Sequence, residues 1–125
     1  MKTIQILVGL ILLLGTSLLA ETNAPSAVSP AVVAARTEGT RLAQADFTNG
    51  VYRLQTYGFM SGKMNPGEEY LRKNYSVDIW PVAACIVSED LRAKAEAYNS
   101  EMKRLLVKKL GKDIFEEAKK ATSDR

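Results

Sequence analysis

The residue types that most often carry catalysis are scarce in this chain of 125 residues, which has no histidine and one cysteine. The lack of histidine excludes Ser-His-Asp triads, Cys-His pairs and histidine-ligated zinc. The single cysteine excludes an internal disulfide and a metal site built from several cysteines. No glycine-rich phosphate-binding motif is present either. We therefore expect no metal and no cofactor, and the composition favours a protein that is not an enzyme.

Cys85 is the only thiol, and it lies in the apolar run 83–87. Apolar neighbours favour a buried residue of the core. A disulfide between two copies of the chain, and so a homodimer, stays open, because an unpaired cysteine in an exported protein can link chains. A small hydrolase or thiol-dependent enzyme that uses Cys85, or a pair of carboxylates, is the alternative to a non-catalytic role.

Three further residues are candidates for binding: Tyr98, Asn99 and Trp80. Asn99 falls on the shoulder of a stripe of apolar residues that recur every three or four positions. Because a buried amide must be hydrogen-bonded, we expect its side chain to bond a main-chain group outside its own helix. Asn99 and Tyr98 could instead contact a ligand at the boundary between helix and sheet. Trp80, next to Pro81, fits either the edge of the core or an aromatic groove.

Basic residues gather towards the end of the same helical segment: Lys103, Arg104, Lys108, Lys109 and Lys112. Cations there complement the negative end of the helix dipole, which is the interpretation we favour. Contact with an anionic polymer or a membrane surface is the functional alternative. The formal net charge of +3 is too small to indicate a nucleic-acid partner.

The beginning of the chain has the layout of a secretory signal. Lys2 precedes a long apolar run, and Ala20 offers a small residue before a cleavage point. Residues 1–20 therefore predict a secreted or periplasmic protein, or a membrane tether if the signal is not cleaved. Residues 21–45, rich in alanine, serine and proline, are predicted to form a mobile tether. A small domain over 46–122 should follow.

Strands are predicted in two places within this domain. Polar and apolar residues alternate over 51–57, as expected of a half-buried strand. The run 77–87 is almost uncharged and predicts a buried strand, with 82–87 as its best-paired part. Because two strands make a thin sheet, a third could lie in 36–48 or 57–64.

Helices are predicted by their end signals. Asn65 and Glu68 have the spacing of a capping box around Pro66, which predicts a helix to residue 74. Ser88 should cap a long helix that ends before Gly111, and Asp113 should cap a short final helix. The fold class is therefore α+β, with a small sheet of two or three strands packed against one long and two short helices.

The segment 68–118 resembles a group of small exported or membrane-tethered bacterial proteins of uncharacterised function. The similarity lies in the runs 74–77 and 82–88, in Tyr98-Asn99 and in 110–115. This chain has Ser76 and Ala84 where those proteins usually have glycine. The resemblance implies an exported α+β unit and carries no activity with it.

These observations lead to one functional expectation. The chain is predicted to be an exported α+β domain that acts as a non-catalytic binding or interaction module. Its partner would be a protein or a component of the cell envelope.

Overall fold

The computed structural model of this chain describes residues 28–58 and 64–123. Its elements, in chain order, are α1 (Pro30–Thr48), β1 (Arg53–Tyr57), α2 (Pro66–Tyr75), β2 (Asp78–Ala83), α3 (Glu89–Leu110) and α4 (Ile114–Ser123). The predicted α+β class is confirmed. The predicted order strand, helix, strand, long helix, short helix is present after α1, a helix of 19 residues that the predicted set of one long and two short helices did not include. The predicted signal at residues 1–20 lies outside the described residues.

The prediction of a tether over 21–45 is wrong from Pro30 onwards, where the chain is helical, and its first part, 21–27, lies outside the described residues. Pro30 occupies the first turn, where proline is tolerated, and the Ser29 hydroxyl accepts a hydrogen bond from the Val32 N–H at 3.3 Å. The alanines that suggested a linker are the strongest helix formers. An alanine-rich sequence that begins with a proline therefore forms a helix here. The prediction of a possible strand over 36–48 is also wrong, because these residues belong to α1.

The sheet consists of β1 and β2, which pair in parallel. Helix α2 connects the two strands in the chain. Arg53 pairs with Asp78 and Gln55 pairs with Trp80. The Asp78 N–H donates to the Tyr52 carbonyl. Since successive residues of a strand direct their backbone groups to alternate sides, Pro81 faces the outer edge of the sheet. That is the position where a missing N–H costs no ladder hydrogen bond.

Strand β2 stops at Ala83, inside the segment 82–87 that was predicted to be best paired, so only the first two residues of that segment belong to the strand. An irregularity in the pairing precedes its end, where Tyr57 pairs with Ala83. Beyond that point the backbone leaves the sheet. Cys85 is exposed there, so the prediction that it is a buried residue of the core is wrong. Ile86, 93% exposed, shows the same departure. The apolar run 83–87 predicts a core strand, but the sequence alone does not show where the partner strand ends.

The helix ends follow their predicted signals, with one exception. Asn65 and Glu68 form the capping box of α2, Gly111 ends α3 in the left-handed conformation with φ of 69°, and the Asp113 carboxylate accepts from two N–H groups of α4. Ser88 stands at the N-cap of α3, but its side chain accepts no N-cap hydrogen bond.

Helices α1 and α3 form the main packing contact of the described residues. Their contacts advance together along both helices, from Gly39 against Lys94 to Gln44 with Glu101, so the two helices run in the same direction. A Cβ at Gly39 would lie 2.2 Å from the Lys94 carbonyl oxygen. The close approach of the two backbones therefore depends on glycine at this position.

The core lies where α1, α2, α3, α4 and the strand ends meet. Its buried residues are Ala43, Leu71, Val77, Tyr98, Met102, Leu106, Ile114 and Ala118. Among residues 28–58 and 64–123, no helix combines the length and hydropathy that a membrane span requires.

Candidate functional site

One polar cluster joins α1, β1 and α3, and we call Asp46, Arg53, Gln55, Tyr98 and Asn99 the sheet–helix network. The Tyr98 hydroxyl donates to Asp46 Oδ2 at 2.6 Å. Arg53 donates to the same oxygen from Nε at 3.0 Å and from Nη2 at 2.8 Å. A half-buried carboxylate thus accepts three hydrogen bonds and is neutralised by the guanidinium, which satisfies both charges.

Tyr98 is the fully buried member of the sheet–helix network. Burial disfavours the charged phenolate, and the neighbouring Asp46 carboxylate adds to this effect. Together they raise the pKa of Tyr98 to about 12. At neutral pH the phenol is therefore a hydrogen-bond donor, and it does not act as a base.

Asn99 makes the contact predicted for it. Its Oδ1 accepts from the Gln55 N–H at 2.7 Å, and its Nδ2 donates to the Gln55 carbonyl oxygen at 2.7 Å. These two backbone groups face away from β2, on the outer edge of β1. The amide of Asn99 therefore pairs with the strand edge as a third strand would, and it fixes how α3 lies against the sheet.

The structure brings three of the four sequence-predicted residues into one region. Trp80 pairs with Gln55, which Asn99 holds, and its ring lies 5.3 Å from the Arg53 guanidinium, which bonds Tyr98. The Trp80 side chain is 53% exposed. Cys85 stands apart on the segment after β2, and no described residue hydrogen-bonds its thiol.

A second region, which we call the lysine groove, opens where the end of α1 meets the last turns of α3. It has a volume of about 550 Å³ and is lined by Phe47, Thr48, Gly50, Tyr52, Leu105, Lys108 and Lys109. The aromatic and leucine side chains are half-buried and form the floor, whereas the two lysines are exposed and form the rim. The volume lies in the range of about 300–1,000 Å³ typical of small-molecule sites.

The turn after α1 builds the aromatic floor. Gly50 adopts a φ of 73°, which reverses the chain and returns Tyr52 beside Phe47. The two ring centroids lie 5.5 Å apart with planes inclined at 48°. Lys109 Nζ donates to the Tyr52 hydroxyl and lies 5.7 Å from the Phe47 centroid. The ammonium therefore sits at the edge of an apolar surface.

The basic residues near the end of α3 divide into two groups. Arg104 Nε pairs with Glu101 at 2.8 Å, Lys112 Nζ pairs with Glu117 at 3.1 Å, and Lys103 Nζ lies 5.4 Å from the Phe115 ring centroid. Lys108 and Lys109 form no ion pair with any carboxylate in the described part of the chain. Lys103 has no ion pair either, but it packs on Phe115 away from the groove, whereas Lys108 and Lys109 both line the groove.

Sequence reasoning recognised Lys109 and Lys108 but did not find the floor beneath them. Phe47 and Tyr52 flank the Asn49-Gly50 turn, and this spacing is a usable signal, since a tight turn brings its two flanks together. Leu105 is one position of the helical stripe that the groove leaves half-exposed. No sequence signal separates it from its buried neighbours.

Comparison with known proteins adds no relative: the chain matches no protein-family model, no curated protein and no solved structure. Residues 28–58 and 64–123 contain no cluster of three or more side chains suited to hold a metal ion.

Proposed function

We propose that this protein is a non-catalytic binding module, and that its lysine groove takes a ligand bearing an anionic group. One observation carries the proposal: two exposed lysines, Lys108 and Lys109, stand together over an open apolar groove, and neither pairs with a carboxylate of the described residues. The favourable pairing of an ammonium with a carboxylate or phosphate is thus left for another molecule.

The helix dipole accounts for the position of the two lysines but not for the cavity. Lys108 and Lys109 lie in the last turn of α3, where cations are favourable. The interaction with the helix dipole requires only that the ammonium groups lie near the end of the helix. It does not require Phe47, Tyr52 and Leu105 to face an open space beside them.

Calorimetric titration of the full chain tests the charge of the ligand. We expect octanoate to bind more tightly than 1-octanol, which has the same chain without the charge. Lys109→Gln should weaken octanoate binding about tenfold, the usual scale of one charge-assisted hydrogen bond. The matched control is Lys120→Gln, an exposed lysine of α4 outside the groove, which should bind like the wild type.

Two results would contradict the proposal. Equal affinity for octanoate and 1-octanol would mean that the groove does not recognise an anion. Equal loss in Lys109→Gln and Lys120→Gln would mean that overall charge, rather than this groove, governs binding.

A further inference from the structure

The geometry points to a single-chain amphiphile as the ligand of the lysine groove: an anionic headgroup of the carboxylate type on a flexible alkyl chain. This inference rests on the proposed function and adds the nature of the ligand body. It follows from the size of the cavity, the tilt of its aromatic walls and the arrangement of floor and rim.

The size of the groove exceeds what a simple anion needs. A cavity of about 550 Å³ would be mostly empty around an acetate or an inorganic phosphate. Its half-buried floor of Phe47, Tyr52 and Leu105 would then stay in contact with water. An apolar ligand body that covers this floor gains affinity by removing apolar surface from water.

The shape of the floor favours a chain over a flat ring. The Phe47 and Tyr52 rings are inclined at 48°, so one planar ligand cannot stack against both. A flexible alkyl chain can follow two tilted rings and continue over Leu105. The exposed lysines at the rim leave the headgroup in water, where an ammonium can pair with it without burying either charge.

Lys109 also lies against the aromatic floor. Its Nζ donates to the Tyr52 hydroxyl and lies 5.7 Å from the Phe47 centroid. A bound carboxylate offers this ammonium a charged acceptor in place of the neutral phenol, which is the stronger partner. Movement of the lysine towards the headgroup would uncover the floor for the chain.

Calorimetry with carboxylates of increasing length tests the inference on the full chain. From butanoate through hexanoate to octanoate, affinity should rise by up to about fourfold for each added methylene. A substitution of Thr48, which lines the groove, by tryptophan should fill the space and remove this dependence on length. 3-Phenylpropanoate, a flat-ringed acid, should bind more weakly than octanoate.

Thr37→Trp is the matched control for Thr48→Trp. Thr37 is also an exposed threonine of α1 whose hydroxyl donates to the carbonyl one turn back, as that of Thr48 does. It lies outside the groove lining, so Thr37→Trp should keep the dependence on chain length. Thermal melts of both variants check that the fold is retained.

Three outcomes would overturn the inference. Equal affinity for butanoate and octanoate, or for octanoate and 3-phenylpropanoate, would mean that the groove binds an anion without recognising an alkyl chain. The inference would then be wrong, and the proposed function would stand. Sedimentation with phosphatidylglycerol vesicles that depends on Lys109, without octanoate binding, would identify a membrane surface as the partner. Loss of length dependence in Thr37→Trp would exclude the groove as the place where the chain lies.

Discussion

The sheet–helix network and the lysine groove both involve α1 and α3, yet the polar side chains of the two regions differ in the partners that they have. In the network, Asp46 faces Arg53 and the Tyr98 hydroxyl, and the Asn99 amide satisfies both backbone groups of Gln55. In the groove, Lys108 and Lys109 have no carboxylate partner among the described residues. Polar groups paired with a charged or backbone partner stabilise the fold, whereas the two groove lysines lack a carboxylate partner and are available to an anionic ligand.

For Tyr98 and Asn99, which interrupt an apolar stripe, the sequence allows either a structural anchor or a contact with a ligand, and the structure gives both residues internal partners. For the lysines, the sequence favours a simple complement to the helix dipole. Polarity in an apolar stripe therefore identified a structural anchor, and the binding surface emerged only when tertiary structure brought an aromatic floor under two charges.

The largest expected effect comes from the close contact between α1 and α3, the two helices to which both regions belong. Gly39→Ala places a Cβ 2.2 Å from the Lys94 carbonyl oxygen, so α1 and α3 must move apart. We expect a loss of about 3 kcal/mol in the free energy of unfolding, at the upper end for overpacking. Chemical denaturation measures it.

Gly67→Ala is the control for Gly39→Ala. Gly67 is also helical, but its added Cβ would meet only Asn65 Oδ1, at 3.3 Å. The higher helix propensity of alanine offsets that tight contact, so a change within about 1 kcal/mol is expected. Similar losses in the two variants would show that the α1–α3 contact is not specially tight.

The second effect tests the network through Asn99. Asn99→Leu leaves the Gln55 N–H and carbonyl without their partner, which should cost about 1–3 kcal/mol of stability. Asn99→Asp should cost more near neutral pH, because it sets a carboxylate oxygen against the Gln55 carbonyl. Thermal and chemical denaturation measure both.

Asn74→Leu provides the comparison for Asn99→Leu. Asn74 is an exposed helical asparagine whose amide donates to the Tyr70 carbonyl one turn back. Its replacement should change stability by no more than about 0.5 kcal/mol. If Asn99→Leu melted at the wild-type temperature, the amide would not be an anchor of the sheet.

The third effect concerns pH and Tyr98. Its pKa is about 12 in the folded chain against an ordinary 10.0. The folded state thus holds the phenol proton more tightly than the unfolded state. This contribution to stability is complete below pH 10.0 and is lost progressively as pH rises towards about 12.

Denaturation at a series of alkaline pH values measures this contribution. Tyr98→Phe should be less stable than wild type at neutral pH, because Asp46 and Arg53 lose a partner. The variant should also lack the Tyr98 part of the alkaline loss. Identical pH profiles for variant and wild type would remove Tyr98 from the account of this loss.

The smallest effect belongs to the groove. Lys108→Gln removes an exposed charge that has no carboxylate partner in the described segments, so stability should change by at most about 0.5 kcal/mol. Lys109→Gln also removes the hydrogen bond to Tyr52 and the contacts with two aromatic rings, so a loss of up to about 1 kcal/mol is expected. Losses above about 1 kcal/mol would place these lysines in the same structural class as the network.

Local signals in the sequence predicted much of the fold. The capping box at Asn65, the stop at Gly111 and the cap at Asp113 are local interactions, and all three are present. The bond from Asn99 to a main-chain group was also predictable, because an amide on the shoulder of an apolar stripe needs a partner where it is half-buried. That its partner would be Gln55 was not, since this depends on which strand edge α3 covers.

The errors arose where a long-range contact decides local structure. Residues 30–45 have the composition of a linker. Their alanines and the Ser29 cap favour a helix locally, and Gly39 and Ala43 let this helix pack closely on α3. Cys85 has the neighbours of a core residue, and it is exposed because it lies beyond the end of β2 at Ala83. The groove combines residues far apart in sequence, so only its lysines could be recognised in advance.

Mapping octanoate binding by ¹H–¹⁵N NMR on the full chain tests the contrast between the two regions most directly. Trp80 is the only tryptophan, so its indole N–H reports on the network side without ambiguity. We predict that the shifts concentrate on the backbone amides of Thr48, Gly50 and Leu105, and that the Trp80 indole and the Gln55 amide stay in place. Shifts of the Trp80 indole and Gln55 with an unchanged groove would contradict the account, because they would make the partnered region the binding site.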